Sequence, residues 1–181
     1  MDPDRRLVRF AKSGNRAAFG NLVSKYRAPV LALAFDYLHD YELAADVAQE
    51  AFIKAFRHIH EFKENALFST WLYRITVNAA LDARKSLKKQ KSGRGLFKKK
   101  QTAQPAEEQV SSFLNLDDDM LRALNHLSEN QYTAVVLRYF NDRSIREIAG
   151  VLDCSENTVR IHLHRAMQKL ESELRRGKKD K

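Results

Sequence analysis

The stretch Ser144-Ile145-Arg146-Glu147-Ile148-Ala149-Gly150-Val151-Leu152-Asp153-Cys154-Ser155-Glu156-Asn157-Thr158-Val159-Arg160-Ile161-His162-Leu163-His164-Arg165-Ala166 reads as two helices joined by a tight turn. Ser144 is a candidate N-cap, and Glu147, three residues on, completes a capping box. Ile145, Ile148, Ala149 and Leu152 recur at helical spacing and would face a core. Asp153-Cys154 interrupts the pattern, and Ser155 is a second cap, with Glu156 and Asn157 in the first turn that follows. The second helix places Val159, Leu163, Ala166, Leu170 and Leu174 on one face. Its other face carries Asn157, Arg160, Ile161, His164 and Gln168, with Arg165 at the flank. This is the helix-turn-helix pattern, whose second helix would enter a DNA major groove. A helical hairpin with a solvated face has the same periodicity, so the DNA reading needs support elsewhere in the chain.

Charge gives some. The 181 residues hold 32 Lys and Arg against 23 Asp and Glu, a net charge of +9, which favours a polyanion or an acidic protein surface. Cys154 is the single cysteine, so an intramolecular disulfide and a cysteine-rich zinc site are excluded, as fits a reducing cytoplasm. Met1 to Arg6 is not followed by an apolar run of signal-peptide type, and Val30 to Phe35 is too short to span a bilayer. A cytoplasmic protein with no membrane insertion is expected. Six glycines, three prolines and few β-branched alternations predict an all-α chain.

Working back toward the N-terminus, Tyr132, Val135, Val136, Tyr139 and Phe140 make an apolar face behind a second capping box, Ser128 with Gln131. Asp117, Asp118 and Asp119 suit a helix N-terminus. Before them the charge reverses sharply. Lys85 to Lys100 carries only basic charges and Thr102 to Asp119 only acidic ones, with Gly93, Gly95 and Pro105 between. Without helical periodicity such a segment is a flexible linker. Two small helical domains are expected, residues 1–89 and 115–181, joined by a linker over 90–114.

In the first domain, a short helix over Leu7 to Lys12 ends at Gly14-Asn15, and Asn15 caps a helix to Tyr37 that Pro29 should kink or split. Tyr41 to His60 carries a wide apolar stripe through Leu43, Val47, Ala51, Phe52, Ala55, Phe56 and Ile59. Glu42, Asp46 and Glu50, spaced four apart, line up beside it as an acidic stripe that a basic protein partner would fit. Phe62 to Phe68 breaks the period, so an exposed loop with aromatic residues is expected. Ser69 or Thr70 then caps a helix from Trp71 to about Lys89, with Arg74, Asn78, Leu81 and Lys85 on a largely basic face. Aromatic rings beside cations suit single-stranded nucleic acid, where bases stack and phosphates are neutralised.

Two separate stretches resemble one family. Tyr132 to Phe140, Ser144 to Ala149, Thr158-Val159-Arg160 and Leu163 to Ala166 resemble the promoter-reading domain of extracytoplasmic-function sigma factors. Asp46 to Phe56 and Phe68 to Asn78 resemble that family's other domain, and the order matches. The resemblance implies a factor that binds core RNA polymerase and directs promoter-specific initiation, in a stress or envelope response, with no catalysis and no cofactor. Glu42, Asp46, Gln49 and Glu50 would dock on the clamp helices of the largest polymerase subunit. Phe62, Lys63, Asn65, Phe68, Trp71, Arg74, Asn78 and Lys85 would trap and surround a flipped base of the minus-ten element. Arg160, Ile161, His164, Arg165 and Asn157 would read the minus-thirty-five duplex, with Arg138 and Arg146 on its backbone. The polymerase flap and an anti-sigma factor, commonly membrane-bound in this family, are the further partners implied. Departures are Ala45, where the family often has an acid; Asn157, for a common glycine; and Ile161-His162, for a typical Ser-Arg pair. Ile161 cannot hydrogen-bond a base edge, but it can contact a thymine methyl.

Two rival classes are weaker. His58 with His60, and His162 with His164, point about 200° apart on a helix and cannot converge on one metal ion. Phosphate loops and nucleophile turns are missing, which argues against an enzyme. Cys154 precedes a helix N-terminus, which can lower a thiol pKa, although a small turn residue is the better reading. An ordinary dimeric helix-turn-helix regulator would explain Ser144 to Leu174 but leave the acidic helix and the Phe62 to Asn78 block without a purpose.

Overall fold

The computed structural model describes residues 4–93 and 116–177, with side chains described for 4–87 and 116–176. The chain divides into two compact units, Met1–Val110 and Ser111–Lys181. Among the described residues the regular elements are all helical, in the order α1 Arg5–Lys12, α2 Arg16–Leu38, α3 Tyr41–His58, α4 Phe68–Gly93, α5 Asp118–Asn125, α6 Glu129–Val135, α7 Ile145–Leu152 and α8 Glu156–Gly177. None of these helices is long and apolar enough to cross a membrane.

In the first unit α2 is the central element and packs against α1, α3 and α4. Gly14 at φ +89° makes the turn into α2, and the Asn15 side chain accepts the Ala18 N–H at 3.0 Å. Pro29 does not split α2, which runs unbroken from Arg16 to Leu38. Tyr26 and Val30, on either side of it, are both buried, and this packing offsets the lost backbone hydrogen bond. His39, in the left-handed region at φ 53°, closes the helix, and Asp40 caps α3 through the Leu43 N–H at 3.1 Å. α3 ends at His58 and tightens into a 3₁₀ turn over Ile59–Glu61. α4 begins at Phe68, so Ser69 and Thr70 lie inside its first turn and neither is the cap. It also runs to Gly93, through the first residues read as linker; the rest of the 90–114 segment lies outside the described residues.

The core of the second unit is α8 against α5, α6 and α7. Asp117 caps α5 through the Met120 N–H at 2.7 Å, and the Ser128/Gln131 box starts α6. α6 passes into a π-helical turn over Val136–Phe140. The wider turn shifts the register, so Tyr139, expected on the apolar face, is 54 % exposed.

α7 opens on the capping box. Ser144 Oγ accepts the Glu147 N–H at 3.2 Å, and the Glu147 carboxylate accepts from the Ser144 N–H at 2.9 Å and hydroxyl at 2.7 Å. Burial pushes the Glu147 carboxyl up, but the Ser144 hydrogen bonds and the Arg143 charge outweigh it and leave the group below its usual range. Ser144→Ala should destabilise α7 by about 1 kcal/mol, seen in the full chain as roughly fivefold faster hydrogen exchange of the α7 amides. Exchange unchanged in α7 would show that tertiary packing alone holds the helix.

Candidate nucleic-acid interface

The second unit presents one face of α8. Asp153 closes α7 in the left-handed region at φ 54°, the Cys154 N–H reaches the Ala149 carbonyl at 3.1 Å, and Ser155 Oγ accepts the Thr158 N–H at 3.1 Å. This three-residue turn sets α8 against α7. Buried Val159, Leu163, Ala166 and Leu170 form its inner side, which packs against α7, with Ile148 and Val151 buried, and against α6, with Tyr132 and Val135 buried. Fixing that side turns the other outward. Asn157, Arg160, Ile161, His164 and Arg165 are all exposed, as read from the periodicity. Ile161 is 41 % exposed, an apolar contact in a polar and basic stripe. Arg160 pairs with Glu156 at 3.1 Å, one turn back, so a base edge would have to replace or share that partner. Arg146 is exposed on α7. Arg138 lies in the π-helical turn and donates Nη1 to the Arg143 carbonyl at 3.1 Å, so it also braces the loop that leads into α7. Burial, and after it the Asp153 charge, push the Cys154 thiol up, against the direction a helix N-terminus would impose.

In the first unit the loop after α3 differs from the expectation. Phe62 and Phe68 are not exposed rings. They are 3 % and 0 % exposed and pack against each other at 5.9 Å between centroids. Trp71 closes on both, at 5.2 and 5.8 Å, and Tyr26 of α2 meets Phe68 at 5.7 Å. Rings that bury this much apolar surface leave water when a neighbouring helix supplies partners. They pin the ends of the loop, and Lys63 to Leu67 stand exposed between them. Leu67, 38 % exposed, was not singled out in the sequence; an apolar residue in a polar loop was the only signal. From the loop, Trp71, Arg74, Asn78 and Lys85 follow along one side of α4 at helical spacing, Asn78 and Lys85 exposed and Trp71 and Arg74 half-buried.

Glu42, Asp46, Gln49 and Glu50 are exposed on α3, and Glu50 pairs with Lys54 at 2.7 Å. Beside them is a groove of about 530 Å³ between α2 and α3, lined among others by Phe19, Val23, Arg27, Gln49, Ile53 and Phe56. Ile53 and Phe56 are 43 % and 45 % exposed, and Phe56 meets Phe19 edge-on at 5.0 Å. The α3 stripe assigned Phe56 to the core; it is wider than one core face can cover, and its outer edge forms the wall of this groove. Ala45, the departure noted above, also lines it. The face thus offers an apolar slot edged by carboxylates.

Residues 22–90 match the family model described as sigma-70 region 2, and residues 117–170 match that of sigma-70, region 4. The RNA polymerase sigma-H factor of Pseudomonas aeruginosa is 35 % identical, over 96 % of this chain and 95 % of that one. The ECF RNA polymerase sigma-E factor of Haemophilus influenzae is 31 % identical, over 94 % and 95 %. The structure of CnrH in complex with the cytosolic domain of CnrY superposes with a TM-score of 0.66 at 26 % identity, covering 94 % of this chain and 96 % of that one. The two matched regions cover most of the described residues in the order the helices run, so the chain belongs to the extracytoplasmic-function sigma factors, non-enzymatic initiation factors that bind core RNA polymerase and direct it to promoters.

Proposed function

We propose that the chain divides promoter recognition between its units. Residues 1–89 bind core polymerase and open the minus-ten element, and residues 115–181, joined to them through the 90–114 linker, hold the minus-thirty-five duplex. The observation that most supports this is the outward stripe Asn157, Arg160, Ile161, His164 and Arg165 on a helix whose other side is fully anchored. Arg160, His164 and Arg165 meet base edges or phosphates, Ile161 a thymine methyl, and Arg138 and Arg146 the backbone that sets the helix in register. Lys63 and Asn65 of the loop, with Trp71, Arg74, Asn78 and Lys85 of α4, receive the melted strand, while Phe62 and Phe68 hold the loop from beneath. Unstacking a base costs a few kcal/mol, which contacts made only with the open strand must offset.

Glu42, Asp46, Gln49 and Glu50 dock on the clamp helices of the largest polymerase subunit, and the second unit on the flap. The chain acts in the cytoplasm, and the promoters it serves belong to a stress or envelope response. An anti-sigma factor covers the same faces, a reading supported by CnrH having been determined with a second protein bound. The test is transcription with purified core polymerase and this chain alone. Promoter-specific transcripts are expected from a genomic template pool; their absence would overturn this division of promoter recognition between the units.

Arg160→Ala should weaken promoter binding by roughly 1–3 kcal/mol at fixed salt, the worth of a good bidentate base contact. The Glu156 pair is exposed and worth at most about 1 kcal/mol, so it does not hold Arg160 back from DNA. Unchanged affinity in a holoenzyme binding titration would remove Arg160 from the base-reading set.

A further inference from the structure

α1 lies outside the matched region, which begins at residue 22. Its basic side nevertheless grips the loop. Arg5, Arg9 and Lys12 follow at spacings of four and three, so they share one face of the helix. Arg5 Nε reaches Glu64 Oε2 at 3.1 Å and Arg9 Nε reaches the same oxygen at 3.3 Å. Lys12 Nζ donates to the Phe62 carbonyl at 2.9 Å. The start of α1 is tied down separately. The Asp4 carboxylate is buried, accepts from the Tyr26 hydroxyl, and pairs with Lys25 at 2.5 Å. Tyr26 in turn packs at a tilt against Phe68, where the loop ends. One short helix is therefore connected to both ends of the loop: directly to Phe62 and Glu64, and through Tyr26 to Phe68.

We propose that α1 is a positioning element for promoter opening: Arg5, Arg9 and Lys12 hold Glu64 and the Phe62 carbonyl so that Lys63 to Leu67 keep the shape that captures an unstacked base. This rests on the reading of that loop as the base trap. Exposed backbone between two buried rings would otherwise sample many conformations, and capture of a base would then have to order it; a loop already held avoids that cost at the moment of melting. Glu64 acts on the loop and not on DNA, since a carboxylate facing phosphates would repel them. The Arg5 hydrogen bond, against a smaller effect of desolvation and with help from Arg9, holds the Glu64 carboxyl below its usual range. The grip therefore stays charged at neutral pH and is lost only as acid protonates Glu64.

The test is charge exchange in the full chain assembled with core polymerase. Arg9→Glu and Glu64→Arg are made singly and together, and the pair keeps the net charge. Two readouts are followed: hydrogen exchange of the amides of residues 62–67, and permanganate reactivity of minus-ten thymines in a promoter mapped with the unmodified protein. Each single variant should speed loop exchange and lower permanganate reactivity about fivefold, the size that two exposed ion pairs allow, with holoenzyme assembly unchanged. The exchanged pair rebuilds one of the two ion pairs but sets the new guanidinium against Arg5, so it should recover part of the loss, lying between Glu64→Arg alone and the unmodified protein on both readouts. Additive losses in the pair would mean that these cations meet DNA directly and would overturn the proposal, as would single variants without effect on loop exchange. Lys63→Ala with Asn65→Ala separates the underlying reading. Unchanged permanganate reactivity there would remove the base trap, and the positioning role with it, even where the charge exchange still controls loop mobility.

Discussion

Phe68→Ala is expected to destabilise the N-terminal unit by about 3–5 kcal/mol, the range for emptying a large aromatic site in a packed core. Phe68 is fully buried, and its ring touches Phe62, Trp71 and Tyr26, which come from three different parts of the chain. None of them can follow the truncation, because each is held by its own helix or turn, so the cavity stays open. A loss of that size is a large share of the 5–15 kcal/mol typical of a domain. Trp71 is the only tryptophan and lies against the site, so its fluorescence in urea reports this unit alone. Phe68→Leu keeps much of the volume and should cost less, about 1–2 kcal/mol. A shift below about 1 kcal/mol for Phe68→Ala would mean that the aromatic cluster is not what closes the loop.

Asp46→Lys combined with Glu50→Lys should weaken binding to core polymerase by about 2–4 kcal/mol, since like charges brought together at an interface cost several kcal/mol. Both side chains are exposed, so the reversal touches no core contact. Internally the Glu50–Lys54 attraction becomes a repulsion, the Glu42–Asp46 repulsion becomes an attraction and the Asp46–Glu50 repulsion keeps its size, so exposed changes of roughly a few tenths of a kcal/mol nearly cancel. Circular dichroism and the urea midpoint should therefore stay put while holoenzyme recovery in a pull-down falls. The loss should shrink at high salt as the charges are screened. Undiminished recovery would move the polymerase contact off this face, leaving the adjacent groove without its charged edge.

Part of this was legible in advance. Capping residues act through their own neighbours three positions on, so Asn15, Ser128, Ser144 and Ser155 could be read as helix starts from local chemistry, and each caps as expected; the three aspartates marked the start of α5, and Asp117 is the one that caps it. The outward stripe of α8 was legible for the same reason: one anchored side at helical period leaves the other to solvent. The misreadings are also alike in kind. Phe62 and Phe68 sit outside any periodic segment, so nothing local said that Tyr26 and Trp71 would cover them. Ser69 and Thr70 are good caps that the chain passes over, because Phe68 is pulled into the helix by the cluster it joins. Tyr139 was displaced by a π-turn, whose extra residue has no signature in the hydrophobic pattern.

By itself, then, the sequence determined an all-α chain, the helix starts, the charge pattern and the two family blocks, since each depends on contacts within a few residues or on residue types at fixed spacing. Only the tertiary structure decided which apolar faces are covered. It buried the loop's rings, left Ile53 and Phe56 open along a groove, and set the basic side of α1 against Glu64, 55 residues beyond Arg9. Periodicity states that a face is apolar; whether water leaves it depends on which helices arrive, and that is settled by packing between residues far apart in the chain.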